Sequence, residues 1–93
     1  MKITIVGAGY VGMSLAILFA QKHNVIVIDI DKNKIKKINN KISPVKDKLI
    51  SKYLSKKTLN LIATLNHEEA YKKADYIVVC TPTNYNPNFK SFD

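Results

Sequence analysis

"ITIVGAGYVGMSLAILFA", residues 3–20, is preceded only by Met1 and Lys2. An apolar stretch of this length behind a positive charge has two readings. One is a secretory leader or a membrane span. The other is the strand, tight turn and helix of a folded domain. A span needs about 20 mostly apolar residues and a leader core about 7–15. Gly7, Gly9, Tyr10, Gly12 and Ser14 interrupt this one, and Leu18 and Phe19 before Ala20 spoil a small-x-small cleavage signal. Neither secretion nor membrane insertion is expected.

The folded reading accounts for more residues. Ile3–Val6 is a β-branched run suited to a buried parallel strand. Tyr10 to Gln21 contains no Pro, and Val11, Leu15, Leu18 and Phe19 fall on one helical face, which is the expected core face. "NVIVIDI" is a second buried strand, running to Asp29 and Asp31. Strand, glycine turn, helix and strand within about thirty residues make a βαβ unit.

Gly7-x-Gly9-x-x-Gly12 has the spacing of a dinucleotide fingerprint. The first glycine permits the tight turn, the second lets backbone approach a pyrophosphate, and the third lets helix and strands pack closely. The helix N-terminus then presents free N–H groups and a positive dipole end to the phosphates. The chain has three glycines, all in this motif. Asp29, twenty residues after Gly9, is placed to accept hydrogen bonds from the adenosine ribose, and a carboxylate there repels a 2′-phosphate. NAD is therefore expected over NADP. Asp31, the competing acid, is assigned to capping the helix that begins "KNKIKKI". Lys34, on that helix's first turn, either leans over the ribose or adenine or is one more solvated lysine.

Size and charge bound the alternatives. At 93 residues the chain holds one small domain at most, and its single Cys excludes an internal disulfide framework. The net charge of +8 invites a nucleic-acid reading. However, all fifteen basic residues are Lys, and the Arg fork that clamps phosphate and reads guanine is missing. Abundant Lys, Ile and Asn fit an AT-rich coding sequence, so no nucleic-acid partner is expected.

Further along, Ser43-Pro44 fits an N-cap and first helical position, with Val45, Leu49, Tyr53 and Leu54 as an apolar stripe. The crossover from Asp31 to Asn60 is long enough for two helices. "NLIATL" and "DYIVVC" read as third and fourth strands around a short helix, "HEEAYKKA". Right-handed crossovers then give an α/β fold, a partial Rossmann-like doubly wound parallel sheet of about four strands in order 3-2-1-4. Ligands bind where the winding reverses, so the glycine turn and "CTPTN" meet there, with Thr83 the preferred cofactor contact and a turn role as its alternative. Cys80 reads as a small core residue. His23 and His67 read as surface residues, and no metal-ligand spacing is visible.

Taken with the opening, "SPVKD" and "PTNYNPN" make the chain resemble the UDP-glucose 6-dehydrogenases, and the likeness runs over nearly all 93 residues. A PTP loop is more usual in the related GDP-mannose and UDP-N-acetylmannosamine enzymes. The resemblance implies a cytoplasmic, homo-oligomeric enzyme of polysaccharide precursor synthesis. Such an enzyme oxidises UDP-glucose to UDP-glucuronate, reducing two NAD through a thiohemiacetal and a thioester on a catalytic Cys. By position, the family's NAD contacts fall on Tyr10, Val11, Asp29, Lys34 and Thr83, beside Gly7, Gly9 and Gly12. Family members are several times longer, and their nucleophile lies far downstream. Residues 1–93 are thus expected to be the amino-terminal part of an NAD-binding domain, inactive alone, with the fourth strand an open edge prone to pairing.

Overall fold

The computed structural model describes residues 1–56 and 59–80. These form β1 (Lys2–Val6), α1 (Tyr10–Ala20), β2 (Asn24–Ile28), α2 (Lys32–Asn39), α3 (Lys48–Leu54), β3 (Leu61–Thr64), α4 (His67–Lys73) and β4 (Tyr76–Val79). The strands make one parallel sheet in the order β3-β2-β1-β4, as the alternating pattern predicts. The long crossover holds two helices, α2 and α3.

Register sorts side chains onto two faces, because neighbours along a strand point in opposite directions. Ile3, Val25 and Leu61 are in register, as are Ile5, Val27 and Ala63. This face meets Met13, Ala16, Ile17 and Ala20 of α1, Ile35 and Ile38 of α2, and Ile50 and Leu54 of α3. On the opposite face the Thr4 hydroxyl donates to the Ala70 carbonyl of α4 at 2.8 Å. There Ile62, Ile77 and Val79 stay exposed; Tyr76, in register with Ile3 at the start of β4, is exposed as well.

Two apolar stripes differ from the sequence expectation. In α1 the sheet is met by Gly12, Met13, Ala16, Ile17 and Ala20, while Val11 is 66% and Leu18 59% exposed. The helix is apolar almost all round, so periodicity cannot choose a face. Size chooses it instead: Gly12, Ala16 and Ala20, four apart, let the helix axis approach the strands. In the second case α3 starts at Lys48 rather than at Pro44. Its cap is Asp47, whose carboxylate accepts from the Leu49 and Ile50 amides at 2.9 and 3.0 Å. The Ser43 hydroxyl is spent on Val45. The later start turns Ile50 and Leu54 inward and leaves Leu49 66% exposed.

One edge of the sheet is closed by a side chain. The Asn39 amide donates to the Ala63 carbonyl at 2.9 Å and accepts from the Ala63 N–H at 2.8 Å. It thereby imitates the next strand and blunts an edge that would otherwise offer itself for pairing. Asn39→Ala removes both bonds, each contributing about 1 kcal/mol net at a partly wet site. A loss of about 1–2 kcal/mol in urea denaturation is expected.

Candidate cofactor site

The site lies where the winding of the sheet reverses, at the carboxyl ends of β1, β2 and β4. Three backbone bonds build the glycine turn. The Gly7 N–H donates to the Ile28 carbonyl at 2.8 Å, the Cys80 N–H donates to the Val6 carbonyl at 2.7 Å, and the Met13 N–H donates to the Gly9 carbonyl at 2.9 Å. Gly7 sits at φ +107, a backbone conformation that side chains resist. A Cβ on Gly7 would fall on the Cys80 carbonyl oxygen, and one on Gly12 would fall on the Gly7 carbonyl oxygen. At Gly9 there is no atom within 4 Å of a built Cβ. The outer two glycines serve turn and packing, as their spacing predicts, and the middle one faces open space.

The start of α1 differs from that of every other described helix. Asp31, Asp47 and Asn66 cap α2, α3 and α4 with their side chains, whereas Gly9 begins α1 with no side-chain cap. The N–H groups of Tyr10, Val11 and Gly12 precede the first intrahelical bond, made by Met13, so the helix supplies them no acceptor. Tyr10 and Val11 are both exposed at this end. The Tyr10 hydroxyl donates to the Lys46 carbonyl at 2.9 Å, tying the loop before α3 to this first turn.

Asp29 closes the other side. One carboxylate oxygen accepts from the Ala8 N–H of the turn at 2.8 Å, and the other accepts from the Asp31 N–H at 2.9 Å. A carboxylate offers about four acceptor positions. One of them, filled by Ala8, holds the turn against the end of β2, and a second is filled locally by Asp31. The Asp31 carboxylate is committed to the Asn33 and Lys34 amides at 2.9 and 3.4 Å, the capping role expected of it. A pocket of about 390 Å³ opens beside Asp29, with Val6, Gly7 and Ile28 in its lining and Lys34 half-buried along it.

His67 is the residue that sequence reasoning missed. It is half-buried and lines this same pocket, with Ile30 also in the lining. The available signal was positional: His67 opens the helix after β3, and every β-to-helix junction of a parallel sheet arrives at the same end. Thr83 lies outside the described residues. Cys80 is half-buried at the end of β4 and packed against the core, and desolvation pushes its thiol up from its ordinary value, away from thiolate reactivity. Among the described residues no group of three or more His, Cys, Asp or Glu could hold a metal, and no helix is long and apolar enough to cross a membrane.

The model of the UDP-glucose/GDP-mannose dehydrogenase family NAD-binding domain matches residues 1–92. The chain belongs to this family. Its cofactor is accordingly NAD, and the open cradle at Gly9 with bare N–H groups behind it fits a diphosphate. The chain is 53% identical, over its whole length, to the UDP-glucose 6-dehydrogenase of Streptococcus pneumoniae, and 50% identical to that of Campylobacter jejuni. It spans 24% of each of those relatives. A crystal structure of GDP-mannose dehydrogenase from Pseudomonas aeruginosa, a ternary complex, superimposes with a TM-score of 0.85 at 31% identity. That match covers 95% of this chain and 21% of the other.

Proposed function

We propose that this chain is the part of a UDP-glucose 6-dehydrogenase that holds the adenosine and diphosphate of NAD. The observation that carries the reading is the uncapped start of α1 in a chain that caps its other described helices with Asp or Asn. The diphosphate rests against Gly9 and accepts from the N–H groups of Tyr10 and Val11. Asp29 receives the ribose hydroxyls, and Lys34 lies beside them. Thr83 is assigned the far side of the crevice from the resemblance alone. The bound dinucleotide supplies the hydride acceptor, and these residues orient it and keep its phosphates neutralised.

The likeness to UDP-glucose enzymes at 50% identity and above favours UDP-glucose over GDP-mannose as the parent substrate. The parent is then a cytoplasmic homo-oligomer that makes UDP-glucuronate for surface polysaccharide. Residues 1–93 alone turn over no UDP-glucose, since their one cysteine, Cys80, is a packing residue.

Calorimetry tests the cofactor reading. NAD binding is expected with at least a tenfold preference over NADP, because a 2′-phosphate would meet the Asp29 carboxylate. Asp29→Ala should weaken NAD and erase that preference. Equal binding of both dinucleotides by the unaltered chain would refute the assignment. For the parent protein, NADH formation with UDP-glucose and not with GDP-mannose is expected; the reverse preference would move the substrate assignment to GDP-mannose.

A further inference from the structure

A helix that is apolar all round is ordinarily buried on every side. In α1 the sheet covers only the side that carries Gly12, Ala16 and Ala20. Leu18 stands exposed away from it, and Leu49 of α3 stands exposed across a groove of about 260 Å³ whose lining includes Ser14, Gln21 and Tyr53. Exposure of this kind is not general in the chain. α2 is equally rich in lysine, yet both of its isoleucines, Ile35 and Ile38, are buried and its outer face is polar. The apolar groove also has a cationic margin. Lys52 follows Leu49 by three residues and Lys22 follows Leu18 by four, spacings that set each lysine beside its leucine on the helix surface. Lys48 stands one turn before Lys52, and all three lysines are exposed. Neither residues 10–22 nor residues 48–56 contain Asp or Glu, and the Asp47 carboxylate is committed to the α3 amides.

We propose that the groove between α1 and α3 docks an acidic amphipathic helix of another protein chain, with its apolar residues on Leu18, Leu49 and Tyr53 and its carboxylates beside Lys22, Lys48 and Lys52. A helix with apolar residues at i, i+3, i+4 and i+7 presents such a stripe to a groove. An apolar patch inside a polar rim marks a protein contact. Permanent interfaces are more apolar than this one, so the charged rim belongs to a contact that forms and releases. Charge also argues against a second copy as the occupant: a two-fold interface sets a patch against itself and would bring lysine to lysine. Leu18 lies nine residues along α1 from Gly9, about 13 Å at 1.5 Å per residue. The docking surface therefore stands independently of the nucleotide reading.

The probe is a synthetic helical peptide with Leu at i, i+3, i+4 and i+7 and Glu or Ala elsewhere, and its control carries Lys in place of every Glu. Added to the nitrogen-15-labelled chain, the acidic peptide is expected to shift the amides of Ser14, Leu18, Gln21, Leu49 and Tyr53 and to leave those of α2 unmoved. The basic peptide should shift neither set. Leu49→Glu, at an exposed position, should keep the melting curve and weaken the acidic peptide about tenfold or more, the scale of one buried leucine. Lys52→Glu should weaken it less and flatten its dependence on salt. Both variants should keep the NAD-induced shifts at the glycine turn. Peptide shifts spread equally over α2 would reflect attraction to lysine at large and overturn the site, as would equal binding of both peptides or of neither. Self-association of the unaltered chain that Leu49→Glu abolishes would seat a second copy there instead. Binding to phosphatidylglycerol vesicles through Leu18 and Leu49, without a peptide response, would make the face a membrane surface. Loss of peptide binding in the parent protein would show the groove covered by the parent itself. Each of these three results overturns the proposal.

Discussion

Gly12→Ala and Gly7→Ala are each expected to leave the chain largely unfolded at 25 °C, with the far-ultraviolet circular dichroism of the unaltered protein lost. The obstacle at Gly12 is backbone: its added methyl meets the Gly7 carbonyl oxygen, with the Ile5 side chain 3.4 Å away. A flexible side chain could swing aside, but a carbonyl at the end of β1 cannot move without breaking the turn. The three bonds that tie Gly7 to Ile28, Cys80 to Val6 and Met13 to Gly9 would go with it. Gly7→Ala adds conformational strain at φ +107 to a clash with the Cys80 carbonyl. Overpacking costs about 1–3 kcal/mol where neighbours can adjust and more where they cannot. A domain of this size has only about 5–15 kcal/mol in hand and sits near the lower figure. A melting curve matching that of the unaltered chain would show that the close approach of α1 to β1 is not required.

Gly9→Ala is expected to do the opposite: fold normally and lose NAD. Gly9 has φ −86 and ψ −166, a conformation open to any residue, and its added methyl meets nothing within 4 Å. Stability should stay within about 1 kcal/mol, as for other substitutions at an N-cap whose side chain makes no bond. The methyl takes the volume where a diphosphate must lie to reach the N–H groups of Tyr10 and Val11. Hydrogen bonds to charged groups are each worth about 1.5–3 kcal/mol. Displacing two of them weakens binding by about a hundredfold or more. The pair of glycine experiments separates packing from binding within one six-residue motif. Undiminished NAD affinity in a folded Gly9→Ala chain would place the phosphates elsewhere.

The fold was legible because its signals were redundant. Strand order followed from the alternation of β-branched runs with helical segments, and the turn and packing roles of Gly7 and Gly12 followed from their spacing. Asp31 was legible as a cap because it stands directly before a lysine-rich helix. The misreadings have physical causes. The buried face of α1 is set by the small size of Gly12, Ala16 and Ala20, whereas hydropathy marks Val11 and Leu18 just as strongly. The start of α3 turned on a contest between Ser43 and Asp47, and the carboxylate is the better partner for a helix N-terminal dipole. His67, read as a surface residue, is half-buried in a pocket whose other residues are distant in sequence: the pocket joins the ends of β1 and β2 to the start of α4, and only the fold brings them together. Asn39 gave no sign of its edge-closing role, since its partner Ala63 lies 24 residues away.

The central claim is that the uncapped first turn of α1 is a seat for a diphosphate. Titration of the nitrogen-15-labelled chain with NAD, followed by amide shifts, tests it most directly. The account predicts shifts concentrated at Gly9, Tyr10 and Val11 and at the Ala8 amide held by Asp29, with Asn24 and Asn60 at the opposite end of the sheet unmoved. Shifts confined to that opposite end, or none at the turn with NAD in large excess, would contradict it.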